Sequence, residues 1–179
     1  MVYLFLANGF EEIEALTPLD VLRRAGVQVT TVGVGGDSIL GAHGIRVQAD
    51  IPDTMYRDAA PDMIILPGGM PGSAKLDQSR VVDAALRSAS RNGAYLCAIC
   101  AAPMVLGKRG YLQGKRAVCY PGFEQHLEGA TVTDARVECD GRIITAKGMG
   151  AALEFGLCLV EALCGKETAE QIAASVFAK

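Results

Sequence analysis

A cysteine stands where an apolar run meets small residues, in Tyr95-Leu96-Cys97-Ala98-Ile99-Cys100-Ala101-Ala102-Pro103-Met104-Val105-Leu106. Ala101 and Ala102 are strong helix formers of little bulk. Pro103 suits a first helical turn, where its missing N–H has no intrahelical partner anyway. The run before them reads as a strand, so Cys100 falls on a strand-to-helix turn. Unpaired N–H groups and the positive end of a helix dipole at such a turn favour a thiolate over a thiol. The arrangement is that of a hydrolase nucleophile elbow without the G-x-S-x-G pattern itself. The stretch also permits a plainer reading, in which Cys100 is one more small buried apolar residue.

Three carboxylates, Glu11, Glu12 and Glu14, follow the first apolar run of the chain. On a helix, Glu11 and Glu14 share a face and Glu12 points elsewhere. Acidic groups in a first turn suit the helix dipole from the surface, which accounts for Glu11 and Glu12. Glu14, between Ile13 and Ala15, fits partial burial. Burial would raise its pKa, and a protonated Glu14 could donate a hydrogen bond to a Cys100 thiolate. A third element is Pro67-Gly68-Gly69-Met70-Pro71-Gly72, directly after the apolar Met63-Ile64-Ile65-Leu66. Glycines there can turn backbone N–H groups toward an anion or oxyanion, or simply make a tight turn.

The elements that must position these groups alternate along the chain. Val2–Ala7 is apolar throughout, as expected of a parallel strand buried on both faces. A helix is predicted over Phe10–Ala25, stopped by Gly26, and a second strand over Val27–Val32. Gly33, Gly35 and Gly36 follow that strand but lack the G-x-G-x-x-G spacing and lead into no helix, so they are not a dinucleotide fingerprint. Ile45–Ala49 alternates like a short edge strand. The stretch from Met63 supplies another strand, Ser79–Asn92 a helix with a cap-like Ser79, and Ala117–Tyr120 a further apolar run. Ala130–Cys139 and Arg142–Ala146 read as strands around an Asp140-Gly141 turn. Helices over Ala151–Cys164 and Glu167–Phe177 close the chain. This order predicts a doubly wound α/β sheet, mostly parallel, with helices on both faces and one domain over 1–179. Glu14, Gly68, Gly69 and Cys100 then gather at the carboxyl edge, where open α/β sheets bind ligands.

Composition removes several alternatives. The chain has 179 residues, 50% apolar and 21% charged, with a net charge of −3. That balance carries no basic run for nucleic acid or an anionic membrane surface. The most apolar stretch, Ala151–Leu163, is too short to span a bilayer and contains Glu154 and Glu161. A strand from Val2 leaves no room for a secretory signal, so a cytoplasmic location with reduced thiols is expected. Only His43 and His126 are present, outside any ligand spacing, which argues against a dedicated metal site. Cys97 lies in the strand, facing the core, so C-A-I-C is not read as a redox disulfide. Cys119, Cys139, Cys158 and Cys164 carry no signal of a partner.

Taken together, Asn8-Gly9-Phe10-Glu11-Glu12-Ile13-Glu14, Leu66-Pro67-Gly68-Gly69, Ala98-Ile99-Cys100-Ala101-Ala102-Pro103 and Gly148-Met149-Gly150 resemble the ThiJ/PfpI superfamily, closest to its DJ-one branch. The resemblance covers essentially the whole chain. It implies a flavodoxin-like sheet, a homodimer, no cofactor, a reactive Cys100 and a protonated Glu14 beside it. It also implies an oxyanion site made by the N–H groups of Gly69 and Ala101, next to Gly68. Two departures narrow the chemistry. Relatives with protease-like or glyoxalase-chaperone activity carry a histidine where Ala101 stands, and the DJ-one branch often has one at the position of Tyr120. Without a histidine base, peptide hydrolysis is disfavoured, while Tyr120 can hold a substrate oxygen but is a poor base at neutral pH. Two functions remain. One is processing of 2-oxoaldehydes, or of their early glycation adducts, to a 2-hydroxy acid. The other is sensing or protection through oxidation of Cys100 to a sulfinate.

Overall fold

The computed structural model describes residues 1–58 and 60–178. In chain order the strands are β1 (Val2–Ala7), β2 (Val29–Val34), β3 (Ser38–Leu40), β4 (Arg46–Gln48), β5 (Ile51–Pro52), β6 (Met63–Leu66), β7 (Tyr95–Ile99), β8 (Arg116–Ala117), β9 (Thr131–Val132), β10 (Val137–Asp140) and β11 (Ile143–Ala146). The helices are α1 (Glu12–Arg24), α2 (Gly72–Gln78), α3 (Arg80–Arg91), α4 (Pro103–Gly107), α5 (Ala152–Cys164) and α6 (Lys166–Ser175). Seven strands form the main sheet in the order β10-β11-β7-β6-β1-β2-β5. All its pairings are parallel except β10 with β11, an antiparallel hairpin at one edge. The expected doubly wound, flavodoxin-like architecture is present.

Period-two side-chain alternation explains why the central strands are apolar on every residue. Tyr3, Phe5 and Ala7 of β1 join one core, and Val2, Leu4 and Leu6 join the other. The first core takes Leu76 of α2, Val82, Ala85, Leu86 and Ala89 of α3, and Met104, Val105 and Leu106 of α4. The second takes Ala15, Leu19, Val21 and Leu22 of α1 with Phe155, Leu159 and Val160 of α5. Gly156 lets α1 and α5 approach closely, since a Cβ there would lie 3.0 Å from Pro18 Cα. Among the described residues no helix is long and apolar enough to cross a membrane.

Three stretches depart from, or add to, what the residue pattern shows. The segment 72–78 is a helix, started by Pro71 immediately after the glycine loop, in a stretch to which the residue pattern assigns no element. Ala130–Cys139 is not one strand. Thr131–Val132 pairs instead with Arg116–Ala117 in a separate parallel ribbon, and the chain rejoins the main sheet only at Val137. Polar contacts account for the break, because Asp134 pairs with Lys147 and the Thr133 hydroxyl donates to Glu138 at 2.9 Å. Ala117–Tyr120 pairs as strand only at Ala117. Beyond it, the Val118 N–H donates to the Thr145 hydroxyl at 2.9 Å and the Tyr120 N–H to the Cys100 carbonyl at 2.8 Å.

Candidate active site

β1, β6, β7 and β11 run parallel and side by side, so the residues after Ala7, Leu66, Ile99 and Ala146 share one edge. Cys100 leaves β7 with its N–H bonded to the Ala146 carbonyl at 2.9 Å, and its carbonyl accepts from Tyr120. Its backbone has φ +64°, the left-handed region that costs a non-glycine residue about 1–3 kcal/mol. This is the sharp turn of a nucleophile elbow: it lifts the side chain away from the strand line into a half-buried position. Arg109, just beyond α4, binds Asp77 of α2 at 2.6 Å and Asp83 of α3 at 3.0 Å, which fixes the short helix behind the cysteine.

Glu14 arrives from α1. Glu11 caps that helix by accepting the Glu14 N–H at 2.7 Å, and the Glu11 N–H donates to the Gly68 carbonyl at 2.9 Å, tying the helix start to the glycine loop. Glu14 is 1% exposed, and its Oε2 is fully buried beside Gly68. Gly68, having no side chain, leaves the space in which Glu14 and Cys100 meet, since a Cβ there would strike both side chains. Gly69 has φ +87°, a conformation that glycine adopts freely, and a Cβ on it would strike the Glu11 N–H.

The electrostatics follow from this packing. Burial lifts the Glu14 carboxyl to about 7, and the charge of Glu11 adds to the rise, while the Cys100 thiol and the Gly68 and Met149 N–H groups oppose it. Burial also pushes the Cys100 thiol up, to about 12, reinforced by the charge of an ionised Glu14 and by the hydrogen bond to it. The N–H groups of Gly69 and Ala101 favour the thiolate. The expectation of a depressed thiol pKa is therefore reversed. The helix that should supply the dipole begins only at Pro103 and is 5 residues long, and desolvation outweighs it. Both contributions of Glu14 belong to its ionised form. A proton on Glu14 cancels the charge and converts an acceptor into a donor, so the two N–H groups then act on the sulfur unopposed.

Glu14, Gly68, Gly69, Cys100 and Ala101 are thus brought together. Tyr120 is joined through its backbone, while its ring is half exposed and lies against Gly148, where a Cβ would be 3.3 Å away. Gly148 also adjoins Glu14, so the Lys147–Ala151 turn forms the remaining wall. A cleft of about 440 Å³ opens here between Tyr120, Arg136, Lys147 and Met149. The larger surface cavity, about 830 Å³, lies at the amino ends of the strands near Val2, Tyr95 and Arg142 and holds none of these groups.

Glu12 is not the surface acid that its first-turn position suggests. It is 2% exposed, and its carboxylate accepts from the His43 ring at 2.9 Å and from the His43 N–H at 2.8 Å. Gly41 closes over it without a Cβ, so Glu12 clasps the β3–β4 loop to α1. Burial pushes Glu12 up, but the His43 ring and the backbone N–H groups outweigh it and hold the carboxyl low. Glu11, Glu12 and His43 offer ligand atoms within 4.8 Å of one another, although Glu12 is already satisfied by hydrogen bonds. Among the described residues, neither histidine hydrogen-bonds to Cys100 or Glu14. The clasp escaped the residue pattern because it depends on how a hairpin 31 positions away folds back.

The DJ-1/PfpI family profile matches residues 1–162. The chain is 40% identical over 174 residues to protein dj-1beta of Drosophila melanogaster, covering 94% of this chain and 91% of that one. It is 36% identical over 158 residues to the glutathione-independent glyoxalase DJR-1.2 of Caenorhabditis elegans, covering 88% and 84%. With protein DJ-1 homolog B of Arabidopsis thaliana it shares 39% identity over 170 residues, 93% of this chain but only 39% of that longer protein. The structure of oxidized DJ-1 from Toxoplasma gondii superposes with a TM-score of 0.94 at 36% identity, covering 98% of this chain and 97% of that one.

Proposed function

The chain belongs to the DJ-1/PfpI family, and from that premise we propose that it is a cofactor-free, cysteine-dependent enzyme converting 2-oxoaldehydes, or their early glycation adducts, to 2-hydroxy acids. The observation that carries this reading is Glu14, a carboxyl buried to 1% exposure, poised near 7, meeting Cys100 in space that Gly68 leaves by having no side chain. A group with that pKa gives and takes protons equally well at neutral pH. The name of the Caenorhabditis elegans relative supports the substrate class.

The residues act in sequence. Glu14 takes the thiol proton, and the sulfur adds to the aldehyde carbon C1. The oxygen gains the electron pair of the carbonyl π bond and is met by the N–H groups of Gly69 and Ala101. That oxygen takes up a proton to give the hemithioacetal. Glu14, ionised again, removes the hydrogen on C1 as a proton while the C2 oxygen takes up a proton to give an enediol; the proton then returns to C2 as the C1 hydroxyl gives up its own, leaving a 2-hydroxy thioester on Cys100. Water attacks the thioester, the C–S bond breaks, and the 2-hydroxy acid and the thiol are released. Tyr120, at the rim, holds a substrate oxygen.

The test is turnover of methylglyoxal to lactate by wild type, Cys100→Ala and Glu14→Gln. Cys100→Ala should be inactive, and Glu14→Gln should fall by ~10²-fold or more, the scale of lost general acid–base catalysis. Retained turnover in either variant refutes the mechanism. The second reading, a redox role for Cys100, gains support from the oxidized state named for the Toxoplasma gondii structure. It is favoured if wild-type turnover does not exceed that of free thiol and peroxide gives a stable Cys100 sulfinate.

A further inference from the structure

Two cysteines that carry no sequence signal of partnership meet at the far edge of the sheet. Cys139 is on β10 and Cys158 on α5, 19 positions apart, and their sulfurs lie 2.7 Å from each other with no atom between. Strand alternation and helix packing produce the meeting. On β10, Glu138 and Asp140 face away from α5, toward Arg116 and Lys115, so Val137 and Cys139 are turned to α5. On α5, Cys158 follows Phe155 by three positions, at the margin of the buried face. Cys139 is register partner of Ile144, itself partner of Cys97, so three strands set two cysteines in one row beneath the helix. Cys97 is wholly buried; Cys139 is exposed and Cys158 half-buried, at the mouth of a cleft of about 440 Å³ beside Glu161 and Lys166.

We propose that Cys139 and Cys158 are a second redox site, separate from Cys100, a dithiol that closes to an intrachain disulfide on reaction with a hydroperoxide and is reopened by thiols. The exposed Cys139 attacks first: its sulfur bonds to the distal peroxide oxygen, the O–O bond breaks, and water or an alcohol leaves with the sulfenic acid formed. The Cys158 sulfur then attacks the Cys139 sulfur and displaces hydroxide. With the Cys158 proton this makes a second water. Two thiols are oxidised by two electrons and one peroxide is reduced. The hydrogen bond between the sulfurs supports this order, since it holds the Cys139 thiol below its ordinary value and raises that of Cys158. A Cys139 thiolate attacking with its partner already in contact leaves the sulfenic acid little time to oxidise further.

The experiment is peptide mapping after hydrogen peroxide treatment, with free thiols blocked by iodoacetamide before digestion. The expected result is a cross-linked pair joining the Cys139 and Cys158 peptides, lighter by two hydrogens and reversed by dithiothreitol. It should form equally in Cys100→Ser and be lost in Cys139→Ser and Cys158→Ser. Alkylation of both cysteines should fall by ~10-fold or more on oxidation and return on reduction. Cys139 carried on to sulfinate with Cys158 still alkylatable, a disulfide between chains, or both thiols untouched at peroxide levels that oxidise Cys100 would each overturn the proposal. The wild-type result decides by itself, so a variant that fails to fold does not leave the question open.

Discussion

Replacing Glu14 by glutamine changes a titrating group for one of nearly the same shape that does not titrate. In the fold the carboxyl ionises near 7, against an ordinary value of 4.5 that the unfolded chain is taken to show. The folded state therefore holds this proton more tightly than the unfolded state does. That contribution is fully present below pH 4.5 and is lost as pH rises through 7, where the fold must bury a charge. At roughly 1.4 kcal/mol for each pH unit between the two values, wild type gives up about 3 kcal/mol that Glu14→Gln keeps. For a chain of this length the shift in Tm is roughly 6–12 °C. The amide has its own cost in the pocket, but that cost does not depend on pH and cancels when two pH values are compared. The thiol of Cys100 does not interfere, since it titrates near 9 when unfolded and higher when folded, above the window. Thermal denaturation of both proteins from about pH 4.5 to about pH 8 should show the variant gaining steadily on wild type and levelling off above 7. A constant difference across that range would mean that Glu14 is not a buried acid poised near neutrality, and the proton-shuttle mechanism would fall with it.

The same substitution removes the charge that helps hold the Cys100 thiol up. Iodoacetamide should therefore label Cys100 faster in Glu14→Gln than in wild type, by roughly tenfold at about pH 8, and labelling that is unchanged or slower refutes the coupling. The His43 clasp has its own pH signature. Its hydrogen bond to Glu12 raises the imidazole above 6.5 and helps hold the carboxyl below 4.5, so the contact contributes most between those values and fades as pH rises above them. The Tm gap between wild type and His43→Ala should be widest near pH 5.5–6 and narrow toward about pH 9; a gap that widens with pH contradicts the assignment.

What the residues foretold is what depends on neighbours in sequence. The strand at Met63–Leu66, the helix capped by Ser79 and the Asp140-Gly141 hairpin follow from local pattern, and the order of elements places Glu14, Gly68, Gly69 and Cys100 on one sheet edge. What escaped depends on distant packing. Glu12 in a first turn looks like a solvated acid until a hairpin folds over it, and Cys139 has no visible partner until α5 is laid against the edge strand. The thiol of Cys100 is a different case: the residues show the turn after the strand, but the helix starts only at Pro103 and the thiol is raised rather than lowered. A helix of 5 residues offers little dipole, and no residue pattern states how much water the folded pocket excludes.

That exclusion decides the chemistry. A cysteine stabilised as thiolate by a long helix would ionise alone, and a carboxylate beside it would only repel it. Here Glu14 and Cys100 are both desolvated, both raised and both packed against Gly68, so burial penalises the charged form of each and the carboxyl, near 7, ionises well before the thiol, near 12. Once Glu14 has lost its proton it faces the thiol as acceptor, and the N–H groups of Gly69 and Ala101 oppose the rise of the thiol. The missing histidine is then less of a loss than the sequence implies. In the proposed mechanism Glu14 takes over the proton transfer that a histidine would perform, at a pKa that burial has moved into the histidine range.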